Sequence, residues 1–255
     1  MDNLEVIARL RVHPGHLEGF ASQVAEILRV TRDRDRHTLR CDWFINDNGT
    51  ECEVHEAFAN EQGLIEHKIN TMEASVALFR DYAFDHHATI FGEVSQDFID
   101  LVESRMGAAP TVFSFMQGLG LPATVSPSTV GTGHLELHAH LKIRPGQLEG
   151  FRARAEEIMR ITQEQDTKTL RYDWFVNGKG TECEVHEAYV DEAGLVEHNQ
   201  HVMDARADLF ERYAFDHRMV AFGQVSQQLR DLGTKHAGGL AVYSFLQGLE
   251  AAAAV

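Results

Sequence analysis

The chain opens on an alternation. Over residues 4–12, Val6, Ala8, Leu10 and Val12 fall on one parity and Glu5, Ile7, Arg9 and Arg11 on the other. Period two is the mark of a half-buried strand. Pro14-Gly15 turns the chain and the period lengthens, with Leu17, Phe20, Val24, Ile27, Leu28 and Thr31 forming one helical stripe. A second strand is predicted over residues 38–46, and Asn46-Asp47-Asn48-Gly49 is a hairpin turn leading to a third strand from Thr50 to Phe58. Asn60 can cap the next helix, whose continuation carries Met72, Val76, Phe79 and Tyr82 at helical spacing. A fourth strand is expected near Thr89–Val94, then a short helix from Gln96 to Ser104 and a strand-like Val112–Met116. The core order β-α-β-β-α-β is that of a ferredoxin-like split βαβ unit.

The whole pattern then recurs. Pro14-Gly15 returns as Pro145-Gly146, 131 residues on, and the register holds without a gap through Asp42-Trp43-Phe44 and Asp173-Trp174-Phe175. Glu51-Cys52-Glu53-Val54-His55-Glu56-Ala57 returns as Glu182-Cys183-Glu184-Val185-His186-Glu187-Ala188, and Tyr82-Ala83-Phe84-Asp85-His86 as Tyr213-Ala214-Phe215-Asp216-His217. Each copy is large enough to be a small domain rather than a solenoid unit. Domains are expected at 1–119 and 134–255, with a linker at 120–133 whose Pro, Ser and Gly content carries no periodicity. Two like domains in one chain are expected to pair as a homodimer would, an intramolecular pseudo-dimer. Higher assembly is then not needed for folding, and further homo-oligomerisation stays open.

Composition narrows the function. A formal net charge of −16 without any Lys/Arg cluster argues against nucleic acid and anionic membrane as partners. No apolar segment approaches membrane-spanning length. The N-terminus lacks the pattern of a signal peptide. Cys41, Cys52 and Cys183 do not form a disulfide framework and read as buried thiols in a reducing cytoplasm. There is no Gly-rich phosphate loop and no Gly-x-Ser-x-Gly elbow.

The segment from Glu56 to His67, with an aromatic at Phe58, a cap at Asn60 and Gly63-Leu64 before the histidine, resembles the signature of the antibiotic biosynthesis monooxygenase family. Glu187, Tyr189, Asp191, Gly194, Leu195 and His198 fit the same pattern in the second copy. The resemblance implies a dimeric α+β barrel, here built from two ferredoxin-like β-α-β-β-α-β repeats in one chain. It also implies cofactor-independent oxygenation of phenols or quinols, with haem degradation in one branch. That branch carries an Asn on strand one, a Trp where His67 stands and a later His. Ala8 and Ala77 here, and Ala139 and Asp208 in the second copy, depart from it and argue against haem degradation.

Strand parity sorts the polar residues into two sites. On the face expected to meet the helices stand Glu56, Trp43, Phe58, His67 and Tyr82, matched by Glu187, Trp174, Tyr189, His198 and Tyr213. His67, His198, Glu56 and Glu187 are the candidate catalytic groups. The aromatic residues would bind a planar phenol, and no cofactor is called for. An imidazole and a carboxylate between aromatic walls can take a phenol's proton, and the phenolate can pass an electron to dioxygen. The ordinary alternative for the same residues is core packing with local hydrogen bonds.

The opposite face carries Arg9, Glu53, His55, Arg40 and Asp42, and in the second copy His138, His140, Glu184, His186, Arg171 and Asp173. Buried charges need partners, so an ion-pair network is expected there. A metal held by His138, His140 and His186, with Glu184, is the sharper alternative. Three function classes therefore stay open: a cofactor-independent oxygenase, a non-catalytic small-molecule-binding or stress-responsive barrel, and a metal-dependent enzyme using the second copy. Asp85 and His86, which follow the second helix, are expected to cap it rather than enter the pocket mouth.

Overall fold

A computed structural model describes residues 3–119, 134–223, 225–235 and 239–249; the linker expected at 120–133 lies outside them. Repeat one runs β1 (Leu4–Val12), α1 (Leu17–Arg34), β2 (Thr38–Asn46), β3 (Glu51–Phe58), α2 (Glu61–Asn70), α3 (Met72–Asp81), β4 (Ala83–Phe91), α4 (Gln96–Met106) and β5 (Thr111–Gln117). Repeat two runs β6 (Leu135–Ile143), α5 (Leu148–Gln165), β7 (Thr169–Asn177), β8 (Glu182–Tyr189), α6 (Glu192–His201), α7 (Met203–Arg212), β9 (Ala214–Phe222), α8 (Gln227–Lys235) and β10 (Leu240–Gly248). The strands form a closed barrel, so the fold is a dimeric α+β barrel made from two ferredoxin-like repeats of one chain. Among the described residues no helix is long and apolar enough to cross a membrane.

The chain divides into two compact units, and each takes its last strand from the other repeat. β10 from Tyr243 onward belongs with repeat one, and β5 from Phe113 onward with repeat two. In the first unit the order is β4-β1-β3-β2-β10. Cys41 stands opposite Glu56 across β2 and β3, and Phe44 opposite Phe245 across β2 and β10. The second unit has the order β9-β6-β8-β7-β5, with Tyr172 opposite Glu187.

The helices cover one face of each sheet. In the first unit Phe20, Val24, Ile27 and Leu28 of α1 meet Ala8, Leu10, Trp43 and Val54, all buried. In the second, Phe151, Ala155 and Ile158 of α5 meet Leu141, Trp174 and Val185. Burying a Phe, Leu or Val side chain stabilises by about 1.5–3 kcal/mol each, and these two stripes are where the apolar periodicity is spent. The three cysteines are buried and unlinked.

Two expectations need correction. The helical stretch after Asn60 is two helices meeting at Thr71, whose N–H bonds the His67 carbonyl at 2.9 Å. The phase restarts there, so Ala74 and Leu78 face the core while Met72 and Val76 are 52% and 60% exposed. β4 also begins earlier than expected, at Ala83. Asp85 and Asp216 adopt left-handed φ values of 55° and 54°. At the same place the pairing of β4 with β1 slips between Arg9 and Arg11, a bulge. Asp85 and His86 therefore belong to a strand, and Tyr82 is the residue that ends α3.

Candidate functional site

Each repeat brings three elements to one point. The end of α1 delivers Asp35, an extended residue whose N–H still bonds the Thr31 carbonyl at 2.9 Å. β3 delivers Glu56 on its helix-facing side, and α2 delivers His67 from its buried stripe of Gly63, Leu64 and His67. Asn60 caps that helix, its side chain accepting from the Gly63 N–H at 3.0 Å. Gly63 allows the approach: a Cβ there would stand 2.7 Å from the His37 Cβ and 3.2 Å from the His37 carbonyl oxygen. Gly63→Ala must push α2 away from the loop carrying Asp35. We expect a loss of about 1–3 kcal/mol in urea unfolding, as for other overpacked sites. Unchanged or raised stability, the outcome favoured by alanine's helix propensity, would contradict this packing.

In repeat one the groups form a closed chain of charge. His67 Nδ1 lies 2.7 Å from Asp35 Oδ2, and Asp35 also accepts from Asn70 at 2.8 Å and Thr38 at 2.8 Å. His67 Nε2 lies 3.1 Å from Glu56 Oε1. Lys68 Nζ closes on both Glu56 oxygens at 2.9 and 2.7 Å. Burial opposes charge on the Glu56 carboxyl, yet the Lys68 ammonium and the His67 bond outweigh it and hold its pKa well below the usual carboxylate range. Burial likewise lowers His67, but its bonds to Asp35 and Glu56 win and leave it raised. The set alternates carboxylate, imidazole, carboxylate and amine in the order Asp35, His67, Glu56, Lys68. Both imidazole nitrogens are occupied. Cys41 Sγ, a Glu56 oxygen and a His67 nitrogen lie within 4.8 Å of one another, a donor set that a soft divalent metal can use. Lys68 already supplies Glu56 with a cation, and burial pushes the Cys41 thiol up, against the thiolate a metal requires.

Repeat two keeps half of this chain and opens the other half. His198 Nδ1 lies 2.7 Å from Asp166 Oδ2, and Asp166 also takes His201 at 2.7 Å and Thr169 at 2.7 Å. The tautomer that donates Nδ1–H to Asp166 leaves Nε2 with its lone pair, and among the described residues no hydrogen bond occupies it. Asn199 stands where Lys68 does, so Glu187 has no ammonium on it; Tyr189 donates to it at 2.7 Å. Burial dominates, and the Glu187 pKa is raised.

Tyr172, in the place of Cys41, lies edge-on to His198 with ring centroids 4.6 Å apart. Glu187, His198, Tyr172, Trp174, Arg206 and His217 line a small pocket, partly open at its mouth.

Other predicted residues fall as follows. Trp43 is buried in the first core, 6.0 Å edge-on to Phe20, and Phe58 lies 5.4 Å from the His67 ring. Tyr82 and Tyr213 stand over Gly19 and Gly150 at the starts of α1 and α5; Tyr213 packs against the second core but is not one of the residues lining the pocket. Of the Asp-His pair expected to cap the helix, Asp216 in the second copy pairs with Lys142 at 2.9 Å, while the histidine reaches the site instead, since His217 lines the pocket. Its counterpart His86 is depressed by burial and by the nearby Lys68 charge.

On the opposite face the charges are paired inside each unit. Arg9 bonds Glu53 at 2.7 Å, His55 lies 3.2 Å from Glu53, and Arg40 bonds Asp42 at 2.7 Å. In the second unit His140 lies 2.9 Å from Glu184 and Arg171 bonds Asp173 at 2.7 Å. His138 and His186 stack with ring centroids 4.1 Å apart. Stacked rings aim their nitrogens sideways rather than at a shared point.

Strand parity and helix spacing do not reveal Asp35, Asp166, Lys68, Arg206 or Tyr172. The signal was available for the last three as positions where the repeats differ.

Residues 4–71 match the family model described as antibiotic biosynthesis monooxygenase. No curated protein matches the chain in sequence. Among solved structures, a candidate monooxygenase from Fusobacterium nucleatum is similar over 97% of this chain and 94% of its own, at 8% identity and a TM-score of 0.64. A candidate monooxygenase from Lactobacillus acidophilus is similar over 86% of this chain and 92% of its own, at 10% identity and a TM-score of 0.57. An anthrone oxidase-like protein covers 100% of this chain and 98% of its own, at 7% identity and a TM-score of 0.53. At these identities the likeness is one of fold.

Proposed function

Because the first repeat carries an antibiotic biosynthesis monooxygenase domain and the second repeats its fold, we propose that the chain is a cofactor-independent monooxygenase of small aromatic phenols or quinols. The reaction is assigned to the pocket of repeat two. One observation carries the assignment: His198 is fixed by Asp166 at 2.7 Å through Nδ1, while among the described residues its other nitrogen has no hydrogen-bond partner beside a pocket with aromatic lining. An imidazole held by a carboxylate on one side and unoccupied on the other is the arrangement of a general base. Repeat one has the same histidine with both nitrogens taken.

In the proposed cycle His198 accepts the phenol proton. The phenolate reduces dioxygen by one electron, and the radical pair recombines at the ring carbon opposite the hydroxyl. The peroxide so formed loses water. Overall, one ring C–H and the phenol O–H give up two hydrogens, one oxygen atom becomes the new carbonyl, and the other leaves as water. The substrate supplies every electron, so the balance needs no external reductant. Tyr172 and Trp174 offer flat walls to a planar ring, and the raised Glu187, neutral over more of the pH range, can donate a hydrogen bond to the developing peroxide.

The test is oxygen uptake by chelator-treated protein across a panel of phenols and hydroquinones, with ¹⁸O₂ tracing. Label in the quinone product, with uptake matching its formation, is the expected result. No uptake above buffer across the panel would sink the reading.

A further inference from the structure

The two repeats agree at the base and disagree about where they keep a cation. In repeat one the cation is Lys68, clamped on Glu56 at 2.7 Å. In repeat two that position is Asn199, and a new cation, Arg206, appears on α7 where repeat one has Ser75. Arg206 does not replace Lys68 in function. It bonds the Asn199 side chain rather than Glu187, and among the described residues no carboxylate forms an ion pair with it. Asn199 is itself tied down, donating to the Leu195 carbonyl at 2.8 Å.

The guanidinium is thus held by a neutral group on the wall of the pocket that His198 also lines. A partly buried guanidinium ordered by a neutral partner still has donors to offer. Its geometry suits a planar oxyanion better than a lysine would.

We propose that Arg206 makes this pocket a receptor for an aromatic ligand bearing an anionic oxygen group, a ring carboxylate in particular. The proposal rests on the oxygenase reading for the fate of that ligand but not for its binding. A carboxylate on Arg206 would orient the ring against the Tyr172 and Trp174 side of the pocket and turn an adjoining hydroxyl toward His198. Repeat one, with a serine at this place and its lysine neutralised, does not discriminate in this way.

Binding separates the two claims. Quenching of tryptophan fluorescence is followed with 2-hydroxybenzoate and with its neutral isostere 2-hydroxybenzamide, without turnover. A charge-assisted bond of about 1.5–3 kcal/mol corresponds to roughly 10- to 100-fold tighter binding of the acid. Arg206→Met should remove that preference, Arg206→Lys should retain part of it, and Ser75→Ala should leave it intact. Equal affinities for acid and amide in the unaltered protein, binding of neither, or a preference that survives Arg206→Met in folded protein would each overturn the proposal. A clear acid preference with no oxygen uptake on any phenol would leave it standing and remove the oxygenase reading alone.

Discussion

His198→Ala is expected to lower the oxygenation rate by about 10²- to 10⁴-fold, the contribution of a positioned general base. The same change at His67 should leave the rate near that of the parent protein. The reasoning is local. His198 has, beside a pocket, a ring nitrogen that no hydrogen bond occupies among the described residues, and it is aligned from behind by Asp166 at 2.7 Å. His67 spends both nitrogens on Asp35 and Glu56, and those bonds raise its pKa, so neither nitrogen is left to take a proton from a substrate. Steady-state rates on the best substrate of the panel decide it, read beside circular dichroism to score folding. Added imidazole should restore part of the His198→Ala loss, since the pocket left behind keeps Asp166 to align it. Equal losses at His67 and His198 would mean that the repeats share the chemistry. No loss at His198 would take the imidazole out of the mechanism.

Much of this fold is legible in the sequence because the residues that build it repeat. The Asn46–Gly49 and Asn177–Gly180 turns, the alternation of β1 and the stripe of α1 each have a local signature, and each is found where the pattern puts it. The break at Thr71 has none. Neither Pro nor Gly marks it, and an apolar residue at helical spacing on either side invites one long helix whose stripe, Met72 and Val76, is exposed. β4 hid for a related reason: its early part, Phe84 to His87, is polar or exposed and enters the sheet through a left-handed aspartate.

At the site, parity and spacing bring out Glu56 with His67 and Glu187 with His198, since one strand face and one helix stripe fix them. Asp35 is invisible to periodicity, because it lies between elements and acquires its role only when α1 ends beside α2. The functional asymmetry was written in the mismatches. Agreement between copies marks what the fold requires, whereas Lys68 against Asn199, Ser75 against Arg206 and Cys41 against Tyr172 mark where one pocket closed and the other stayed open.

Closure has a cost that pH can expose, and Asp35→Ala is the change to expose it. Asp35 and His67 have side chains only 2% exposed, and Asp35 accepts from His67, Asn70 and Thr38 together. Deleting one member of a buried, hydrogen-bonded charge pair costs about 3–5 kcal/mol, because the partner is left charged or unsatisfied. The sign with pH follows from the two shifts.

Burial works against the Asp35 charge, but the bonds from His67, Asn70 and Thr38 prevail and lower its pKa in the folded chain. Its stabilisation is present above the ordinary value of 3.8 and is lost as pH falls through the lowered one. His67 is raised, so its share is full below the ordinary value of 6.5 and is lost as pH rises through the raised one. The pair therefore stabilises most between those two values. Urea unfolding of the parent and Asp35→Ala proteins should differ by the full amount near about pH 5.5 and by clearly less near about pH 9. A penalty that does not change across that range would show that Asp35 acts only as a neutral packing and hydrogen-bonding group. The charged chain that closes repeat one would then not exist.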